Sequence, residues 1–85
     1  MDLKELKIRL DSIEAVQRFS NVIGRYEGIP IDISVGRYII DARSIMGIFS
    51  IDLSKVLSLS IHADSSTNNI NTLLAELKQF EVNYS

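Results

Sequence analysis

Asp41-Ala42-Arg43-Ser44-Ile45-Met46-Gly47-Ile48-Phe49-Ser50 is the stretch around which the rest of the chain arranges itself. It opens as the end of an extended run that begins at Tyr38. Ser44 then offers a helix cap, because a serine hydroxyl can accept a backbone N–H of the first turn. The spacing predicts a short helix from Ser44 to about Ile51. At helical spacing Ile45, Ile48 and Phe49 fall on one side, and Met46 lies away from it. A helix this short cannot bury all four against a sheet, so at least one is expected to meet solvent. Gly47 inside the helix costs about 1 kcal/mol relative to alanine. That cost predicts a close approach there by a partner or by neighbouring backbone.

Upstream, Ile29, Ile31, Ile33 and Val35 alternate with Pro30, Asp32 and Ser34, the period of a strand with one buried face. Pro30 puts the start or an edge of a strand there. Gly36-Arg37 suits a two-residue turn with glycine first, so Tyr38 to Ala42 reads as the returning strand of a hairpin. Nearer the N-terminus, Leu6, Ile8 and Leu10 alternate with Lys7 and Arg9 as a further strand. Asp11 is the expected N-cap of a helix, with Glu14 as its capping-box partner. Ile13, Val16, Phe19 and Ile23 form the apolar face of that helix, and Gly24 is expected to stop it.

Downstream, Asp52 to Lys55 reads as a turn. Leu57, Leu59 and Ile61 alternate with Ser58 and Ser60 as a fourth strand. Asp64 to Asn69 is a polar turn segment, and Ile70, Leu73, Leu74, Leu77 and Phe80 form a long helical stripe. The order is β-α-β-β-α-β-α. Strands with one apolar face need a cover, and amphipathic helices need a surface. The expected class is therefore α+β, an open-faced sandwich in which a four-stranded antiparallel sheet is covered on one face by three helices.

The chain has 85 residues, 46% of them hydrophobic, and a net charge of −2. That length suits one domain over residues 1–85, and the apolar share is too high for disorder. There is no cysteine and one histidine, so neither a thiolate nor an imidazole metal site is expected, and no cofactor is implied. The basic residues are scattered, which argues against a nucleic-acid partner. Met1-Asp2-Leu3-Lys4-Glu5 lacks the plan of a signal peptide, and no apolar run approaches the roughly 18 residues of a membrane span. No membrane insertion and a cytoplasmic location are the expectation.

The element order, together with Ala42-Arg43-Ser44-Ile45-Met46-Gly47 at the second helix, resembles HPr, the small phosphocarrier of the bacterial sugar phosphotransferase system. The resemblance is strongest from Ile31 to Phe80. It implies the open-faced sandwich and a carrier histidine, with an arginine two residues on, where the first strand meets the first helix. Aligning the helix through Phe19 puts Ser12 at the histidine position and Glu14 at the arginine position. A one-residue slip offers Asp11 or Ile13 instead, and the glycine and proline usual around that site are absent. A phosphoryl group on imidazole can be passed onward, whereas a serine phosphoester is too stable to relay, and Glu14 would repel the charge that an arginine holds. His62 closes the fourth strand. If that strand pairs antiparallel with the first, His62 lies at the opposite end of the sheet, roughly 20 Å from the carrier position.

The resemblance further implies that Ser44 matches a serine that a dedicated kinase phosphorylates in Gram-positive members. A helix start favours a phosphate there, and Arg43 adds a cation, although serving as a plain N-cap would equally account for Ser44. In the family, exposed apolar residues of this helix dock partner proteins. The expected patch is Arg43, Ile45, Met46, Ile48 and Phe49. The expected function is that of a non-phosphotransferring regulatory or adaptor protein, monomeric or weakly dimeric. Its partners would be proteins of the phosphotransferase or carbon-regulation type, under possible control by Ser44. Two alternatives stand beside it: a working phosphocarrier with a non-standard acceptor, Ser12 or His62, and a homodimeric structural module. No catalytic constellation is expected, since the chain offers no nucleophile–base pair and no glycine-rich phosphate loop.

Overall fold

Four short strands pair into a single antiparallel sheet in a computed structural model that describes residues 3–64 and 66–82. The reading of Met1 and Asp2, and of Ser65 within the 64–69 turn, lies outside the described residues. The strands are β1 (Lys4–Ile8), β2 (Ile31–Val35), β3 (Tyr38–Asp41) and β4 (Leu57–Ile61), in the spatial order β1-β4-β2-β3. The helices are α1 (Ile13–Gly24), α2 (Ile45–Phe49) and α3 (Ile70–Leu77), the last running into a 3₁₀ turn over Lys78–Phe80. The order and the open sandwich match the expectation. The second helix is shorter than Ser44 to Ile51, and the third strand ends one residue before Ala42.

Period-two alternation builds the sheet's inner face. Ile8, Ile31, Ile33, Leu57, Leu59 and Ile61 are each 1% exposed or less. Their neighbours Lys7, Ser58, Ser34, Ser60 and Asp32 occupy the other face. Against the inner face lie Val16, Phe19 and Ile23 of α1 and Leu73 and Leu77 of α3, all buried. Phe19 meets Phe80 edge to face, with ring centroids 5.6 Å apart and planes at 83°, a favoured aromatic geometry. The outer edge of β1 is partly covered by the segment after α3: Val82 N–H donates to the Lys7 carbonyl at 2.8 Å and Arg9 N–H to the Phe80 carbonyl at 2.9 Å. The outer edge of β3 has no such cover among the described residues.

Three local expectations need correction. The cap of α1 is Ser12, not Asp11: the Ser12 hydroxyl accepts the Ala15 N–H at 3.0 Å, and no Asp11–Glu14 capping box forms. Ile13, off the buried arc of the helix, faces outward at 66% exposure, and Ala15 and Val22 join Val16, Phe19 and Ile23 in the core instead. Nor does Gly24 end the helix through a left-handed turn. The chain leaves through Arg25 in a right-handed conformation, its N–H on the Val22 carbonyl. Gly36, by contrast, does adopt φ +57°, a value that glycine reaches without steric cost. With Arg37 on the ordinary side of φ, this is the pattern of a type II′ hairpin turn.

A polar clamp ties the ends of α1 and α3. Glu76 accepts from both the Tyr26 hydroxyl and the Arg25 guanidinium. The Tyr26 bond first, then Arg25, hold the Glu76 carboxyl below the usual carboxylate range, and the same bond to Glu76 raises the Tyr26 hydroxyl. A carboxyl lowered on folding stabilises the fold above its ordinary value of 4.5, and that contribution disappears as pH falls through the lowered value. Glu76→Gln is therefore expected to lower Tm at neutral pH and to make progressively less difference below pH 4.5. Paired thermal melts across that range check this; a gap that widened in acid would contradict it.

Candidate protein-docking site

The first turn of α1 and Phe49, at the end of α2, come together at one end of the sheet. Between them lies an open depression of about 600 Å³ lined by Arg9, Leu10, Asp11, Ser12, Ile13, Phe49, Leu53 and Ser54. The carrier position and the second-helix patch are therefore neighbours. Ser12 is exposed, but its hydroxyl is engaged as the α1 cap. Glu14, one turn into the helix and also exposed, makes no side-chain hydrogen bond among the described residues.

Within α2 the apolar residues separate differently from the expected grouping of Ile45, Ile48 and Phe49. Met46 is 78% exposed, Phe49 47% and Ile45 39%, whereas Ile48 is wholly buried. Ile48 therefore leaves the expected patch: it faces the sheet and anchors the helix on the core. Ile13, counted with the core in the sequence, joins the patch instead, and with Phe49 it lines the depression. Its signal was its place immediately after the true cap, where the first helical residue can turn outward. Leu53 and Arg9 are the other lining residues that the sequence did not single out. The Arg9 guanidinium donates to the Ser54 carbonyl at 3.0 Å, tying the end of β1 to the turn after α2.

Ser44 caps α2 as expected, its hydroxyl accepting the Gly47 N–H at 3.2 Å, and it is exposed. Gly47 has an unexpected explanation. A Cβ there would stand 3.0 Å from the Ser44 hydroxyl oxygen and 3.5 Å from the Ile40 Cδ1. The close approach that glycine permits is thus by the cap itself and one β3 side chain, not by foreign backbone. Arg43 also departs from expectation. It is half-buried, and its guanidinium donates to the Tyr26 carbonyl, fastening the β3–α2 connection to the end of α1. It belongs to the scaffold of the site rather than to a free cation beside Ser44. Asp41 orders the same connection, its carboxylate accepting the Arg43 N–H at 2.8 Å.

His62 follows Ile61, which pairs with Lys4, at the opposite end of β1 from Ile8 and the carrier position. Its Nε2 lies 2.9 Å from an Asp32 carboxylate oxygen, so the side chain expected simply to face solvent has a specific partner. Among the described residues no group of three metal-ligating side chains converges, and no helix is long and apolar enough to cross a membrane.

No family model matches the chain, and no curated protein does. Among solved structures, the crystal structure of a phosphocarrier protein HPr from Bacillus anthracis is similar to it. The TM-score is 0.60 and the identity 20%, over 88% of this chain and 94% of that one. The chain has the HPr fold: the four-stranded antiparallel sheet and three helices follow the same architecture along nearly the whole length of both proteins.

Proposed function

We propose that this chain is an HPr-like adaptor that engages a protein partner of the phosphotransferase or carbon-regulation type without carrying phosphate itself. It acts in the cytoplasm and performs no catalytic step. Ile13, Ile45, Met46 and Phe49 form the docking surface, and phosphorylation of Ser44 regulates it. The observation that carries this reading is the pairing of an exposed apolar surface with a disabled carrier position. Ile13 and Phe49 line the depression beside that position, and Ile45 and Met46 stand exposed on the same short helix as Phe49; exposed apolar clusters of this kind mark interaction sites. The residue at the carrier position is a serine committed to capping a helix, with Glu14 where the family has its arginine.

Ser44 is accessible and its hydroxyl already rests over the first turn of α2. A phosphate there would meet backbone N–H groups and add about −1.5 to −2 charges beside Met46. The partner would then face an anion at the rim of an apolar surface, which changes the set of proteins that can dock.

Intact-mass measurement tests both halves, with an ordinary HPr as control. Incubation with the phosphoenolpyruvate-dependent kinase of the system is expected to add no phosphate. Incubation with the HPr serine kinase is expected to add one, absent in Ser44→Ala. Met46→Asp should lower that second reaction about tenfold in kcat/KM, the effect of losing one well-packed contact residue. An acid-labile phosphate from the first kinase would overturn the adaptor reading.

A further inference from the structure

Among the described residues the sheet has one bare edge, β3, and it matches a second copy of itself. Ala42 N–H donates to the Ile31 carbonyl at 2.9 Å, and Val35 pairs with Tyr38 across the hairpin turn. The residues of this strand that bond inward therefore alternate through 38, 40 and 42. Arg37, Ile39 and Asp41 turn their backbone groups away from the sheet. Tyr38 and Ile39 are 70% and 72% exposed, an unusual amount of apolar surface for an edge strand that nothing covers.

We infer that two copies of this chain join through β3 in a twofold antiparallel arrangement centred on Ile39, with Arg37 of each copy opposite Asp41 of the other. Charge and apolar surface favour this register. The Asp41 carbonyl already accepts the Ser44 N–H at 3.0 Å. Its second lone pair is left for the Arg37 N–H of the other copy, which this register sets opposite it. The charges agree: the ion pairs among the described residues are Arg25–Glu76 and His62–Asp32, so neither Arg37 nor Asp41 has a charged partner among them. In the proposed register each finds one in the other copy, and the two resulting pairs stand on either side of an apolar Ile39–Ile39 centre. The opposite surface fits as well, since Tyr38 falls beside Ile40 of the other copy, where both residues line a depression of about 490 Å³ next to Ser50 and Ile51.

Twofold symmetry makes the contact self-complementary and closed, so it ends at a dimer. The strand is only four residues long, so the interface is small and the association falls in the micromolar range of small, transient contacts. It leaves Met46 and Phe49 free, so this inference stands independently of the adaptor reading.

Analytical ultracentrifugation of the whole chain at about 1–500 μM, with charge reversal, tests it. The wild-type chain is expected to dimerise. Arg37→Asp sets like acids opposite each other and Asp41→Arg sets like bases, so each variant alone should be at least tenfold weaker in self-association. Mixed one to one, the two should form a heterodimer at wild-type strength, and the double variant R37D/D41R should recover the homodimer. Asp41 also holds the Arg43 N–H, so circular dichroism of each variant confirms that the fold is retained. Should Asp41→Arg fail to fold, Ile39→Lys and the salt dependence of the Arg37→Asp effect replace it. A wild-type chain monomeric throughout the range overturns the inference. So does a dimer that charge reversal leaves intact, or one abolished by Met46→Asp, which would put the contact on the helix face.

Discussion

Ile48→Ala is expected to lower the stability of the fold by about 2–5 kcal/mol, whereas Met46→Ala, two residues earlier in the same helix, should change it by no more than about 0.5 kcal/mol. The contrast follows from exposure alone: Ile48 is wholly buried and Met46 is 78% exposed. Removing the Ile48 side chain leaves a void beneath a five-residue helix, and too few other buried contacts hold that helix for it to close the gap. The short helix is then expected to loosen, and Ile45 and Phe49 lose their fixed positions with it. Urea unfolding measures the difference, with the midpoint moving for Ile48→Ala at unchanged slope. Equal effects at the two positions would mean that the helix faces the other way. The functional readout should reverse the order once stability is allowed for, since Met46 belongs to the docking surface and Ile48 only holds it up.

Phe19→Ala should cost about 3–5 kcal/mol, the largest effect of any single truncation in the chain. Phe19 is fully buried on the middle of α1 and its ring meets the Phe80 ring edge to face. It therefore joins α1 to the turn after α3, which in turn covers the edge of β1. A chain of this length has only about 4–13 kcal/mol to lose, and each kcal/mol moves Tm by about 4–8 °C. Thermal melting by circular dichroism is expected to fall by more than 12 °C on that scale. A double-mutant cycle with Phe80→Leu isolates the ring–ring contact, expected at about 0.5–1.5 kcal/mol. A drop of only a few degrees for Phe19→Ala would show that the core near α1 is looser than its burial indicates.

The elements that the sequence made legible are those whose periodicity carries the information. The alternation around Ile8, Ile33 and Leu59 and the stripe from Ile70 to Phe80 place the sheet and the third helix directly. The antiparallel β1–β4 pairing, and with it the remoteness of His62, follows once the HPr-like order is recognised. The site was less legible because it depends on phase rather than period. Choosing Asp11 over Ser12 as the α1 cap shifts the helix start by one residue, and grouping Ile13 with Phe19 misses that the buried arc runs instead through Ala15 and Val22. The competition between two good capping residues is local and close in energy, so tertiary packing decides it: Ala15 and Val16 fit the core and Ile13 does not. In α2 the spacing grouped Ile45, Ile48 and Phe49 on one side, whereas the structure buries Ile48 alone and leaves the other two exposed with Met46, because spacing does not say how deep the helix sits. Arg43 lay beyond any periodic signal, since its partner is the carbonyl of Tyr26 in a distant loop.

The position of β4 sets the order of events when the chain is made. It is the strand that bonds to both β1 and β2, with Leu59 facing Leu6 on one side and Ile33 on the other. The hairpin of β2 and β3 is local and can close within microseconds of being exposed. β1 precedes the other strands, yet its partner β4 is the last of the four to appear, and until then Leu6 and Ile8 have no sheet to enter. Contacts so distant in sequence make folding slow for a domain of this size. The nascent N-terminal segment is thus the part of this protein that depends most on what shelters it at the ribosome.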